Sequence, residues 1–577
     1  MKIKNIPQEI LNLNICALFA FLCMFFLRLI LPKGYTTEFL DRGYLLVAYI
    51  FIALSALFIF SLIFIKDFKF KKKFDLPNFG DIALLGLPMS PIISFILLNL
   101  EYLNALGFLY VIGIPFIFCF TLSFILPSLF SYFGSYKMLM ISGIALSFTI
   151  LNMAQITNNP TTHLFGSQFI TQGLYLVGSF IIIYLVYLFN KQIAYTVVIV
   201  FMVSGAIINF FDGSSKKNLD TINSSDRLKS FLNNDENKVR NKKNIYILIF
   251  ESYSNLETLK FYGYDNSEQI KFLENNDFSI YHGSYSNGAK SLSSTSRILE
   301  LRNKFSKDDR HYLNGNAFVL DVLKANGYKT IGLFKSPYSF GSAPITWDEY
   351  YPKDDVSKIG GKTILKAVYE GYFRFDIFDD NYDNSNYLEL RNRYLSNTED
   401  QPIFFYTHGE HPGHSQNSGV CLKNEKQKHF EGIKKANLQM KNNVEILKKN
   451  DPNSIIVIAG DHGPYLTKNC TALMKYKKSE INKYDIQDRY GAFLAIHWPN
   501  DLKENKYDLQ IIQDIFPAIF GNITDNSKLF DELKLKRKFL DEFDERISGV
   551  NVLNGIIIGG KDDQKPLFEN RSYQLNK

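Results

Sequence analysis

The chain has 577 residues, of which 46% are hydrophobic, 15% aromatic and only 21% charged, with a formal net charge of +7 and a mean hydropathy of −0.06. That apolar content excludes a disordered chain, and five cysteines are too few for a disulfide-stapled minidomain. Residues 1–211 carry twelve Lys/Arg against seven Asp/Glu, whereas the remainder is nearly balanced, so the basic excess flanks apolar runs and gives no nucleic-acid footprint.

Tyr44–Ile65 is an uncharged run of 22 residues, enough for a hydrocarbon core of ~30 Å. Six further spans are expected at about Leu11–Leu31, Ile82–Leu100, Ala105–Leu129, Met138–Ala154, Phe169–Phe189 and Ile193–Phe211. The first lacks a small-residue cleavage site and is followed by more spans, so it reads as an anchor rather than a signal peptide. Its one charge, Arg28, lies near the end, where it can snorkel. Lys2 and Lys4, the cluster from Lys66 to Lys73, Lys137 and Lys191 fall on alternate sides of successive spans. The opposite short loops hold only Lys33 and Arg42. The positive-inside rule then sets a cytoplasmic N-terminus, and seven spans place everything after Phe211 outside. Residues 212–243 are polar and read as a linker, with a short amphipathic helix around Arg227–Leu232.

From Asn244 to the end, apolar runs alternate with helical patterns. Strands are expected at Ile245–Phe250, Lys329–Phe334, Ile403–Thr407, Ile455–Ala459 and Ala492–His497. Helices are expected at Asn316–Asn326, Lys426–Lys449 and Asp508–Phe520. Continuous apolar strands separated by helices imply an α/β domain with a mainly parallel sheet covered on both faces. Ligands in such folds gather beyond the carboxyl ends of the strands. Three of those ends carry chemistry: Glu251 after the first strand, His408, His411 and His414 in HGEHPGH, and Asp461 and His462 in GDHG. A lone carboxylate after a strand is usually solvated, and a lone Asp-His pair is usually turn chemistry. Three such ends in one sheet point instead to a Zn²⁺ or Mn²⁺ site, with Mg²⁺ a further candidate. The Ser-rich segment Ser286–Arg297 is the natural source of a nucleophile, because a divalent cation can depress a hydroxyl pKa; composition alone favours a flexible loop over that reading.

The order of these motifs resembles the alkaline phosphatase superfamily, and more narrowly the membrane-anchored phosphoethanolamine and phosphoglycerol transferases, including lipoteichoic acid synthase. The resemblance implies an α-helical transmembrane domain over residues 1–211 and a sulfatase-like catalytic domain over 244–577. In FESYS, Glu251 matches the first metal carboxylate of that family; Ser291, preceded by Lys290, matches its nucleophilic Thr and a further metal ligand. Asp461 and His462 match its closing metal ligands, and His411 its phosphoryl-contacting His, with His408 and His414 as substitutes. Ser293, Ser294, Thr295 and Ser296 leave the nucleophile open by a few residues. No Cys brackets the nucleophile and no His follows soon after His462, which favours the phosphoglycerol branch. The run SSTSR has Thr295 where a formylglycine sulfatase needs Pro or Ala, which disfavours sulfatase chemistry.

The implied enzyme is a multi-pass plasma-membrane protein with its catalytic domain extracytoplasmic. It would hold one or two divalent ions, take a head group from a membrane phospholipid and pass it to an envelope glycan or glycolipid through phospho-serine. A tethered phosphodiesterase or sulfatase is the alternative; a transporter or receptor is a third, disfavoured by the lack of charges within the spans. Cys16, Cys23 and Cys119 lie in apolar spans, whereas Cys421 and Cys470 follow the two candidate loops and form a candidate bridge. Trp347 is expected near an acceptor pocket and Trp498 in the core; Ser252 and Tyr253 are placed to line the site.

Overall fold

The computed structural model describes residues 12–20, 22–23, 79–98, 105–132, 135–152, 168–189, 192–193, 195–196 and 200 of the N-terminal half. From 220 to 573 it describes all but 303–308, 336–338, 341–343, 354–363, 366–367, 369–383, 398–399, 416–420, 422, 474–475, 503–506 and 536–548. The chain forms two compact units, Met1–Ser215 with Ser357–Phe378, and Lys216–Val356 with Asp379–Lys577.

In the first unit the apolar sequence folds into helices α1 (Gly86–Leu98), α2 (Ala105–Phe120), α3 (Tyr136–Leu151) and α4 (Gln168–Phe189). The helix containing α2 continues through a π-helical turn at Thr121–Ile125 to Phe130. Its 26 residues make it the one helix among the described residues long and apolar enough to cross a membrane. The apolar helices Gly80–Ile93, Tyr136–Leu151 and Leu174–Tyr187 are shorter. The expected span Tyr44–Ile65 and nearly all of Ile193–Phe211 lie outside the described residues, and Leu11–Leu31 is helical over 12–20. Helix α3 is buried almost all round, as a central helix must be. Close packing explains its glycine: a Cβ on Gly143 would lie 2.1 Å from the Leu122 carbonyl oxygen at the π turn. Among the described residues of this unit one acid is buried. Asp81, one residue before an expected span, accepts hydrogen bonds from Tyr187 and Tyr195 at 3.0 and 2.8 Å. The unit also takes in Ile364 and Val368, both fully buried in a cluster with Leu84, Phe95 and Met140.

The second unit is built on a sheet of seven strands: β1 (Ile245–Phe250), β2 (Phe278–Ile280), β3 (Lys329–Phe334), β4 (Glu349–Tyr351), β5 (Ile403–Gly409), β6 (Ile455–Gly460) and β7 (Leu494–His497). Their order is β2-β7-β6-β1-β5-β3-β4. The block from β6 to β4 is parallel, and β7 and β2 add antiparallel pairs at one edge. Strand β1 shows why both faces are apolar: Ile245, Ile247 and Ile249 enter one core while Tyr246, Leu248 and Phe250 enter the other.

Three features depart from the sequence expectation. Residues 220–243 are part of this unit rather than a linker. Helix α5 (Asp220–Leu232) buries Phe231 in the core, and the Arg227 guanidinium sits 4.0 Å over the Phe318 ring. The helix expected from Asp508 begins only at Ile515, because Ile511 is held in a bridge to Tyr285 and a 3₁₀ turn follows. Trp347 lies in no pocket: its ring packs on Phe404 and its indole N–H donates to the Leu313 carbonyl at 2.7 Å. Trp498 is buried in the same core, as expected.

The end of β6 tolerates no side chain at Gly460, where a Cβ would lie 2.0 Å from the Tyr253 carbonyl oxygen. Both atoms belong to backbone, so neither can swing aside. Gly460→Ala should therefore destabilise the protein by ~1–3 kcal/mol, read as a lower midpoint in thermal unfolding of the full chain.

Candidate active site

Sheet register brings the site together. Phe250, the last residue of β1, pairs with Gly409 of β5 on one side and Gly460 of β6 on the other. The residues at these ends, Glu251, His408 and Asp461, therefore meet beyond the carboxyl edge, where an α/β sheet places its ligands. Their ligand atoms lie within 4.8 Å of one another. His408 Nε2 is 3.1 Å from Glu251 Oε2 and 3.5 Å from Asp461 Oδ2. His462 Nε2 is 3.4 Å from Glu251 Oε1 and 3.5 Å from Asp461 Oδ2. Sequence reasoning offered His408 as a substitute substrate contact; in the structure its Nε2 faces both carboxylates, because Ile249 of β1 pairs with His408.

Asp461 tests whether these groups suit a cation. Its Oδ1 accepts from the backbone N–H groups of Ser252 and His462, at 2.7 and 2.9 Å. Its Oδ2 is fully buried and accepts no hydrogen bond. An anionic oxygen in that state is costly unless an opposite charge faces it. Two carboxylates and two imidazoles form a donor set suited to Zn²⁺ or Mn²⁺. His462 is oriented for that role: its Nδ1 faces the Gly463 carbonyl at 2.7 Å, so the tautomer protonated there presents Nε2 to the carboxylates.

Ser291 completes the cluster. Its Oγ donates to Glu251 at 3.1 and 3.0 Å and lies 3.3 Å from His462 Nε2. It is the first residue of helix α6 (Ser291–Glu300), with Lys290 as the exposed N-cap. The neighbouring hydroxyls point elsewhere: Ser293 to the Lys290 carbonyl, Ser294 to the Asp461 carbonyl and Thr295 to the Ser291 carbonyl. By composition a flexible loop is favoured here, because serines are weak helix formers. The tertiary bond from Ser294 to the Asp461 carbonyl helps override that propensity.

The remaining histidines divide. The His414 ring centroid is 6.1 Å from that of His462, and its Nδ1 is 2.5 Å from the Ser415 carbonyl oxygen. His411 is half-buried, and among the described residues no hydrogen bond or ion pair joins it to the cluster. Burial lowers its pKa against the opposing charge of Glu410, with Lys435 and Lys335 acting in the same direction as burial. Cys421 and Cys470 are joined by a disulfide, and the Ser415 hydroxyl donates to the Cys470 carbonyl at 2.5 Å. The loop after β5 is thus fastened to the loop after β6. Three further cysteines, Cys16, Cys23 and Cys119, are free and buried.

No family model and no curated protein matches the sequence. Among solved structures the chain is similar to the integral membrane lipooligosaccharide phosphoethanolamine transferase A from Neisseria meningitidis, at 13% identity and a TM-score of 0.35, covering 80% of this chain and 98% of that one. It is similar to the C-terminal periplasmic domain of EcEptC from Escherichia coli in complex with Zn, at 12% identity and a TM-score of 0.36, covering 52% and 90%. A third is the lipoteichoic acid synthase LtaP from Listeria monocytogenes, at 16% identity and a TM-score of 0.36, covering 58% and 86%. At such low identity and score, the chemistry must be argued from the cluster itself.

Electrostatics add a pH signature. Burial alone would raise the Glu251 carboxyl, but hydrogen bonds and charge from His408 and His462 hold it well below the usual range. Burial would lower both imidazoles, yet Asp461 and Glu251 raise His408 to about 10 and His462 to about 9. Without metal, both rings are imidazolium at neutral pH and neutralise the carboxylates. A cation needs them deprotonated, so its binding displaces about two protons. Apparent affinity should therefore rise roughly 100-fold per pH unit from pH 7 towards 9, measured by competition with a chelator. In excess EDTA the sign reverses. Stabilisation from these raised pKa values is fully present below about pH 6.5 and is lost as pH climbs through 9 and 10. The melting temperature of the metal-free protein should fall across that window.

Proposed function

We propose that the chain is a metal-dependent enzyme that transfers a phosphoglycerol or phosphoethanolamine group from a membrane phospholipid to a cell-envelope glycan or glycolipid. The observation that carries this reading is Ser291: its Oγ touches Glu251 and His462 of the donor cluster from the first turn of a helix. Glu251, His408, Asp461 and His462 would hold the ion, with Ser291 adjoining it. A divalent cation there would supply Lewis-acid stabilisation of phosphoryl charge and lower the pKa of the serine hydroxyl.

In the first step Ser291 Oγ bonds to phosphorus as the bond from phosphorus to the diacylglycerol oxygen breaks. The serine proton ends on that oxygen, and diacylglycerol leaves as the alcohol. In the second step an acceptor hydroxyl oxygen bonds to phosphorus, the Oγ–phosphorus bond breaks, and the acceptor's proton returns to the serine. Glu251 accepts the Oγ hydrogen bond and so fixes the direction of attack. The N-terminus of α6 favours the negative phosphoryl group, and its first intrahelical bond, Ser294 N–H to Lys290, leaves the preceding amides at the end bearing Ser291. Lys290, His411 and His414 would contact the substrate.

The anchor fits this chemistry. Each methylene withdrawn from a bilayer costs about 0.8 kcal/mol, so an enzyme acting on a lipid must work at the membrane surface. The membrane-length helix Ala105–Phe130 and the disulfide Cys421–Cys470 support an extracytoplasmic site. Ser291→Ala should reduce transfer roughly 10³-fold or more. Mass spectrometry of wild-type protein incubated with donor lipid should find the modified Ser291 peptide. Undiminished activity in Ser291→Ala would sink the nucleophile assignment, and release of free head group without a modified acceptor would make the enzyme a hydrolase.

A further inference from the structure

Ser252 stands directly beside the donor cluster and takes no part in the chemistry above. Its backbone has φ of 58°, in the left-handed region that a non-glycine residue seldom occupies. That conformation aims its N–H at Asp461 Oδ1, 2.7 Å away. The side chain is wholly buried, and its Oγ donates to Glu251 Oε1 at 3.2 Å. The same oxygen lies 3.3 Å from Nδ1 of His462, the nitrogen that also faces the Gly463 carbonyl. One residue therefore touches three members of the cluster, which come from the separate ends of β1 and β6.

If conformation alone mattered here, glycine would be the cheapest residue, since it enters the left-handed region without penalty. A serine in this place implies that the hydroxyl has work to do. It links the Nδ1 edge of one imidazole to a carboxylate oxygen, so the two groups cannot rotate independently. Outer contacts of this type fix the orientation of metal-binding side chains, and their loss weakens binding without touching the ion.

Resting on the metal-site reading above, we infer that Ser252 is a positioning residue: its hydroxyl locks Glu251 and His462 in cation-binding geometry, while its strained backbone clamps Asp461. The N–H clamp is retained when the side chain is cut back to Ala or Gly, whereas the hydroxyl is not.

Two variants of the full chain in detergent, Ser252→Ala and Ser252→Gly, separate the contributions. Zn²⁺ and Mn²⁺ affinities are measured against a chromophoric chelator, and melting temperatures are taken in excess EDTA. Both variants should bind each metal about 10- to 100-fold more weakly than wild type. In EDTA, Ser252→Gly should melt no lower than Ser252→Ala, because glycine relieves the backbone. Turnover at saturating metal should recover most of the wild-type kcat in both. Wild-type metal affinity in either variant would overturn the inference and leave the metal site intact. So would a glycine variant that behaves as wild type while alanine does not, since conformation alone would then be responsible. A wild-type protein that binds neither metal would overturn the site reading itself, and this inference with it.

Discussion

Two carboxylates, Glu251 and Asp461, end adjacent parallel strands, and one of their oxygens is buried without a hydrogen bond. That charge has to be met, and much of the surrounding structure serves the need. Two imidazoles converge on it, a serine in a strained backbone conformation holds the other oxygen of Asp461, and the glycine before Asp461 lets the Tyr253 carbonyl pack against the end of β6. Desolvation makes such an arrangement unstable when left unpaired and strong when satisfied. The same tension makes the cluster a good host for a cation and a poor site to mutate.

Much of this was legible in the sequence because parallel strands buried on both faces write themselves as unbroken apolar runs. Each of β1, β3, β5 and β6 was found within two residues, and with them the positions of Glu251, Asp461 and His462. What sequence could not supply was register. His408 and His411 are three residues apart in one loop, and only the pairing of Ile249 with His408 decides which one meets Glu251. Helix α6 was obscured for a different reason. Its serines score poorly as helix formers, yet Ser291 finds Glu251 and Ser294 finds the Asp461 carbonyl once the helix packs against the ends of β1 and β6. Short edge strands such as β2 and β4, three residues each, carry too little pattern to be read in advance.

The loops past the sheet show how a mobile-looking sequence is held still. Gly413 N–H donates to the Glu251 carbonyl, Ser415 N–H to the Pro464 carbonyl, and the Cys421–Cys470 bridge lies beyond them. The segment bearing His411 and His414 is thus tied to the backbone of two donor residues' own loops. A loop fastened in this way beside a binding site is already ordered before a ligand arrives, which lowers the entropy cost of binding.

The placement of Ile364 and Val368 carries a consequence for biosynthesis. These residues fill a core cluster whose other buried members all precede Ser215. Translation must therefore proceed through four of the seven strands of the β-sheet unit before Ile364 and Val368 exist. Until Val368 leaves the ribosome, the helices carry an unfilled seam, and a truncated product ending before it would be left with that seam open.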